Sequence, residues 1–207
     1  MAKQVWKPST MLNPVPVVMV TCSDHEGKPN IITLAWTGTI NSDPPMVSIS
    51  VRKHRYSYEL IKQRGQFVIN LPSRKLTFAT DYCGVKSGKD INKFEEMKLT
   101  AEKASKVEVP LIKECPVNLE CVVKQVIELG SHDMFLAEVV ATNVDEALLD
   151  PNGKLDLHKA DLICFSHGEY YSLEKSLGFF GYSVAKRKNL KRDTGKKPGN
   201  YKNKNVE

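Results

Sequence analysis

Two stretches combine residue types that attract anions. In Ser50-Val51-Arg52-Lys53-His54-Arg55-Tyr56-Ser57 a strand-like alternation gives way to a helical period, so cationic side chains meet a helix N-terminus. The unpaired N–H groups and dipole of such a terminus favour a phosphate. Arg52, Arg55 and Ser57 are spaced to converge on one anion, and the same spacing equally suits a Ser57 that only caps the helix beside solvated arginines. In the second stretch, Cys83-Gly84-Val85-Lys86-Ser87-Gly88-Lys89, glycines permit backbone approach to a ligand and the amides can form an anion-binding concavity. It departs from a P-loop, because only three residues separate Gly84 from Gly88 and Asp90 follows Lys89. A nucleotide triphosphatase is thereby disfavoured, while a simple surface loop has the same composition. Cys83 reads as a ligand contact or as a small apolar filler, and Trp36 as a packing residue or a ring-stacking one.

Positioning these groups requires strands. Val15 to Cys22 is β-branched, residues 23–29 carry turn chemistry, and Asn30 to Thr39 resumes with strand formers, which predicts a hairpin. Ser42-Asp43-Pro44-Pro45 ends the second strand, and Met46 to Arg52 then alternates Val47, Ile49, Val51 with Ser48, Ser50, Arg52. A helix is predicted from Tyr56 to Arg64, with Gly65 at its C-terminal cap, followed by a strand from Gln66 to Leu71 closed by Pro72. Lys75 to Tyr82 reads as a short helix leading into the glycine-containing loop. Val117 to Leu129 and Met134 to Val144 are long strand-like runs joined by Gly130-Ser131-His132-Asp133, and Leu162 to Phe165 is a last short strand. Strands at hairpin spacing with few crossover helices predict a mainly β fold with peripheral helices, an antiparallel and nearly closed barrel.

The net charge of +6 is carried by the end of the chain. Nine of the thirty Lys and Arg lie in 186–207 against Asp193 and Glu207, which leaves residues 1–185 at −1. Two parts are expected, a folded body over 1–185 and a basic, disordered tail over 186–207. The body carries no basic stripe interleaved with aromatics, so no nucleic-acid partner is expected. Five cysteines without a C-x-x-C pair indicate neither a disulfide framework nor a zinc ribbon, and five histidines occurring singly indicate no metal site. With no apolar run long enough to span a bilayer, no membrane association and a cytoplasmic location are expected.

The ordered set Leu34-Ala35-Trp36-Thr37-Gly38-Thr39, Ser42-Asp43-Pro44-Pro45-Met46-Val47, Arg52 to Tyr58, Asn70-Leu71-Pro72, Asp81-Tyr82-Cys83-Gly84 and Ser87-Gly88 closely resembles the flavin reductase-like family, nearest its flavoredoxin branch. The likeness extends from about Val15 to about Val184 and includes Glu114 to Asn118 and His132 to Phe135. It implies an antiparallel Greek-key split β-barrel that binds FMN non-covalently, as a homodimer with flavin sites near the subunit interface. Carried over by residue, Trp36, Thr37, Gly38 and Thr39 would lie along the isoalloxazine ring. Ser50, Val51, Arg52, Arg55, Tyr56 and Ser57 would hold ribityl and phosphate, and Cys83, Gly84, Ser87 and Gly88 with Lys93 would close the other side. Related reductases place a histidine of a Gly-Asp-His turn near the nicotinamide. Here Ser131 stands at the acidic position, so His132 is the candidate catalytic residue on a partial match.

The expected function is an FMN-dependent oxidoreductase or electron-transfer protein, with NADH or NADPH as a transient donor or a redox partner protein in its place, passing electrons to a protein or small-molecule acceptor. A non-catalytic FMN-binding protein is the alternative, and a nucleic-acid-binding barrel is a more remote one. No Gly-x-Gly-x-x-Gly dinucleotide fingerprint is present, so a nicotinamide would bind only over the flavin.

Overall fold

The computed structural model describes residues 1–184; the expected basic tail over 186–207 lies outside the described residues. The first hairpin joins β2 (Val18–Ser23) to β3 (Pro29–Leu34), and β1 (Val15–Pro16) is split off into a separate small sheet. The predicted second strand is interrupted at Ala35 and Trp36, beyond which the chain restarts as β4 (Thr37–Ser42). A tight connection at Asp43-Pro44 turns β4 into β5 (Pro45–Val51), whose Val47, Ile49 and Val51 are buried while Ser48 and Ser50 are half-buried.

Helix α1 (Tyr56–Arg64) ends on Gly65, whose φ of 67° lies in the left-handed region that glycine enters without a Cβ penalty. Strand β6 (Gln66–Leu71) follows, then α2 (Thr77–Val85) and α3 (Lys93–Glu96). The short pair β7 (Ala101–Glu102) and β8 (Leu111–Ile112) precedes the long hairpin of β9 (Val117–Glu128) and β10 (Asp133–Val144). β11 (Ile163–Ser166) and β12 (Glu169–Ser172) pair with each other, and β1 adds to β11.

The main sheet has seven strands in the order β3-β2-β6-β9-β10-β5-β4, every pairing antiparallel. Its two edge strands, β3 and β4, are consecutive in the chain. The sheet must therefore curl until both edges meet at the Ala35-Trp36 bend, where Ser50 N–H donates to Trp36 O at 2.9 Å. This is the split antiparallel barrel expected from the sequence. Alternate residues of the strands, among them Val20, Ile49, Phe67 and Phe135, fill its interior, and α1 plugs one end with Tyr58, Leu60 and Ile61. The opposite faces of β2 and β3 present Met19 and Ile31 to α2 and α3, which pack there through Ala79, Cys83 and Phe94. Among the described residues, no helix is long and apolar enough to cross a membrane.

Candidate functional site

Register brings the candidate residues together. Asp133 pairs with Val51 across β10 and β5, so the residues one step beyond the barrel rim, His132 and Arg52, are neighbours. Thr37 pairs with Ile49, which sets Trp36 opposite Ser50 on the same rim. α1 starts four residues after Arg52, at Tyr56, and is flanked by the chain leaving α2.

Two adjoining pockets result. The smaller, of about 160 Å³, lies at the N-terminus of α1 and is lined by Asn30, Ile32, Tyr56, Ser57, Ser87 and Gly88 with the bases His54, Arg55, Lys86 and Lys93. The larger, of about 290 Å³, shares Ile32, His54 and Arg55 with it and runs over Thr33, Leu34, Ala35 and Trp36 to Ser50, Arg52 and His132. Among the described residues, no carboxylate lines either pocket. The smaller is compact and cationic; the larger sets Ile32, Leu34, Ala35 and Trp36 against Arg52, His54, Arg55 and His132.

The smaller pocket has unused donors. Arg55 occupies the N-cap position of α1 and makes no side-chain capping bond; Tyr58 N–H bonds Arg55 O at 2.9 Å, and no side chain takes up the N–H groups of Tyr56 and Ser57, which line the pocket. Ser57 does not cap the helix. Its Oγ accepts a hydrogen bond from Asn30 Nδ2 at 2.8 Å, leaving its own hydroxyl proton to donate. Lys93 is buried, and its Nζ donates to Ile31 O at 2.6 Å and Cys83 O at 2.7 Å. An ammonium has three N–H groups, so one remains. Burial, with a further contribution from Arg55, lowers the Lys93 amine to about 8. An anion in the pocket would reverse that push.

The glycines serve packing. A Cβ on Gly88 would stand 2.0 Å from Asn30 Oδ1, and one on Gly84 would stand 3.2 Å from Thr33 Cβ. Gly88 thus makes room for the amide that holds Ser57, and Gly84 lets α2 sit close on β3. The expected loop begins later than the sequence suggests, because α2 runs on through Val85. Cys83 and Gly84 are helical, and Cys83 is fully buried. The backbone of this turn still contributes: Gly84 O accepts from Arg55 Nη2, and Cys83 O from Lys93. Burial pushes the Cys83 thiol up to about 11, so it is a filler rather than a thiolate.

Of the other sequence candidates, Trp36, Ser50, Arg52, Arg55, Tyr56, Ser57, Ser87, Gly88, Lys93 and His132 all line a pocket. Val51 does not, because strand alternation turns it into the barrel core, where it is fully buried. Thr37, Gly38 and Thr39 run away from the pockets along β4, and the Thr37 hydroxyl is spent on Ser48 O at 2.9 Å. Sequence reasoning missed Asn30, Ile32 and Thr33 as lining residues, and did not single out His54 and Lys86 within the two anion-suited stretches that contain them. A polar Asn30 within an otherwise apolar strand run was the available signal.

At the rim, Arg52 Nε donates to His132 Nε2 at 3.4 Å, and Ser131 Oγ lies 2.9 Å from His132 Nδ1. Partial desolvation, then Arg52 and His54, lower the His132 pKa, which favours the neutral imidazole. The neighbouring Asp133 is fully buried and accepts from Tyr58 OH at 2.6 Å.

A split barrel with a cationic pocket at the start of its plugging helix and an aromatic-rimmed pocket beside it defines a flavin reductase-like protein. Comparison with known proteins agrees. The flavin reductase like domain matches residues 10–174. An uncharacterised protein of Archaeoglobus fulgidus is 34% identical over 152 residues, which are 73% of this chain and 85% of its own length. Flavoredoxin of Desulfovibrio vulgaris (Miyazaki F) superposes with a TM-score of 0.80 at 34% identity, covering 86% of this chain and 96% of that one. Flavoredoxin from Methanosarcina acetivorans does so at 0.79 and 29%, covering 89% and 100%. The chain belongs to the flavin reductase-like family, on its flavoredoxin branch.

Proposed function

We propose that the protein is an FMN-binding oxidoreductase or electron-transfer flavoprotein of flavoredoxin type. The observation that carries this reading is the pair of adjoining pockets: a cationic one without a carboxylate at a helix start that no side chain caps, and a larger, Trp36-edged one with an apolar side of Ile32, Leu34 and Ala35, large enough to take a ring system. The family supports a flavin, and the compact anion pocket favours FMN, whose terminal phosphate it suits, over a flavin without a phosphate. Arg55, Lys86, Lys93, the Ser57 hydroxyl and the first N–H groups of α1 would hold the phosphate, each through a charge-assisted or helix-terminal contact. Trp36, Ile32 and Leu34 would border the ring, with Ser50 as a polar contact at its edge. When bound, the flavin supplies hydride and electron-transfer chemistry, which explains why the chain needs no nucleophile.

Arg52 and His132 flank the way into the larger pocket, where a donor or acceptor must approach. A neutral His132 can orient a carboxamide or hydroxyl there by hydrogen bonding. NADH or NADPH is the proposed donor, with a redox protein as the alternative. The same reading includes a second copy of the chain as partner, supported by exposed Trp6, Leu12 and Ile40, and a cytoplasmic setting, supported by five free thiols.

The test is equilibrium binding of FMN, FAD and riboflavin, followed by anaerobic addition of NADH or NADPH and sedimentation of the loaded protein. The reading requires FMN to bind more tightly than riboflavin and the bound flavin to bleach with a nucleotide. Equal affinity for FMN and riboflavin would remove the phosphate role of the α1 terminus.

A further inference from the structure

The turn that carries His132 is the four-residue link 129–132 between β9 and β10, yet the residue that follows it, the first of β10, is buried deeper than a hairpin turn requires. Asp133 has no exposed surface. Its Oδ2 accepts from Tyr58 OH at 2.6 Å, and its Oδ1 has no hydrogen bond, only Lys53 Nζ at 3.5 Å. Lys53 is itself drawn to Glu128 at 3.1 Å on the exposed side. Tyr58 belongs to α1, directly after Ser57 of the anion pocket, and its ring is set by an edge contact with Phe135 at 5.6 Å and by Lys62 over its face at 5.5 Å. A buried carboxylate whose one good hydrogen bond comes from another element stays buried only while that bond is made.

We propose that Asp133 and Tyr58 are positioning residues, a latch that ties the His132 turn to the helix bearing the anion pocket and so holds His132 against Arg52 across the rim of the larger pocket. The consequence for His132 is chemical. A guanidinium N–H only donates, so the Nε2 that faces Arg52 Nε must be the acceptor. Nδ1 then carries the proton and donates to Ser131 Oγ at 2.9 Å. The latch thus selects the less usual Nδ1–H tautomer and aims it before any ligand arrives. The use of this arrangement rests on reading the larger pocket as the ring and donor site, whereas the arrangement itself is open to test without flavin.

The experiment is ¹⁵N NMR of the His132 imidazole in flavin-free protein, for the wild type, Tyr58→Phe and Asp133→Asn. Tyr58→Phe keeps the ring that packs on Phe135 and removes only the hydroxyl. Asp133→Asn keeps an acceptor for Tyr58 while removing the charge. The wild type should show the Nδ1–H pattern, Tyr58→Phe a mixture shifted toward Nε2–H, and Asp133→Asn a pattern close to the wild type. A wild type already in the solvent mixture, or an unchanged His132 in Tyr58→Phe, overturns the proposal and leaves the hairpin alone to fix the turn. Loss of the pattern in Asp133→Asn overturns it in the form given, because charge rather than the Tyr58 bond would then be the tie. FMN titration of the same proteins should give dissociation constants within about threefold of one another, since the pocket donors are untouched. Absence of FMN binding in the wild type would sink the flavin reading while the tautomer result stood.

Discussion

Lys93 gives the anion pocket a pH signature. In the free protein its amine is lowered to about 8, chiefly by burial and further by Arg55. A phosphate dianion at the pocket would favour the ammonium, so the bound-state value must lie above the free one. Tight binding requires the protonated form, so FMN affinity is greatest below the free-state value and falls as pH rises through the bound-state one. A rise of about one unit on binding corresponds to about 1.4 kcal/mol, and affinity should fall about tenfold between pH 7 and pH 10. Below neutrality the phosphate itself begins to protonate, with a second pKa of about 6, so the best binding lies in the window from roughly 6 to 8. Fluorescence titration of FMN and riboflavin across this range checks it. Riboflavin carries the same ring, which controls for ring ionisation, and its affinity should lack the tenfold fall. Lys93→Met should bind FMN at pH 7 about as weakly as the wild type does at pH 10, with the slope lost. It should also melt lower, because Ile31 O and Cys83 O lose their donor. An FMN affinity that stays level or rises from pH 7 to 10, or a riboflavin curve that falls in parallel, refutes the reasoning.

Gly88→Ala would drive a methyl to within 2.0 Å of Asn30 Oδ1 and so displace the amide from Ser57; FMN affinity should fall about tenfold, more than for riboflavin, as read by the same titrations. His132→Ala should leave FMN affinity nearly unchanged and slow reduction by NADH or NADPH in anaerobic stopped flow, and an unchanged rate would remove His132 from the catalytic role. Burial alone would raise the Glu120 carboxyl, but bonds from Asn143, Ser105 and Lys106 outweigh it and hold it at about 2. The stability that this depressed value contributes is present above the ordinary carboxyl range and is lost as pH falls through about 2. Glu120→Gln should accordingly cost about 2 kcal/mol or more in denaturant unfolding while leaving FMN binding intact.

Local patterns were legible where a local rule decides. The period change at Tyr56 and the glycine at 65 marked α1 to its observed bounds, and Pro72 marked the end of β6. The interruption at Ala35-Trp36 was hidden because strand formers flank it on both sides; closure of the barrel, a global requirement, puts the bend there. β12 was missed because its residues alternate between half-buried and exposed and bury too little to leave an apolar signature. At the site, the cationic run of 52–57 announced itself by charge and helix position. Gly84 and Gly88 were noticed, but their reason, contact with Thr33 and Asn30, links positions more than fifty residues apart and leaves no trace in spacing. Asp133 reads as an ordinary turn residue until Tyr58 is found 75 positions away.

The five free cysteines differ sharply in their access to solvent, and this turns them into a built-in clock for breathing motions. Cys22, Cys83, Cys115 and Cys121 are buried, with desolvation raising every one of their thiols, Cys22 and Cys83 to about 11 and Cys121 to about 12. An alkylating reagent at neutral pH meets almost no thiolate until the surrounding segment opens. Cys164, half-buried on β11, should be tagged first and report only on its own small sheet. Cys22 and Cys83 flank the Asn30 and Lys93 contacts beneath the smaller pocket, so their tagging rates measure how often that floor lifts. A ligand seated there slows those two rates and spares Cys164, which lets mass spectrometry locate the binding event within the chain without any optical signal from the ligand.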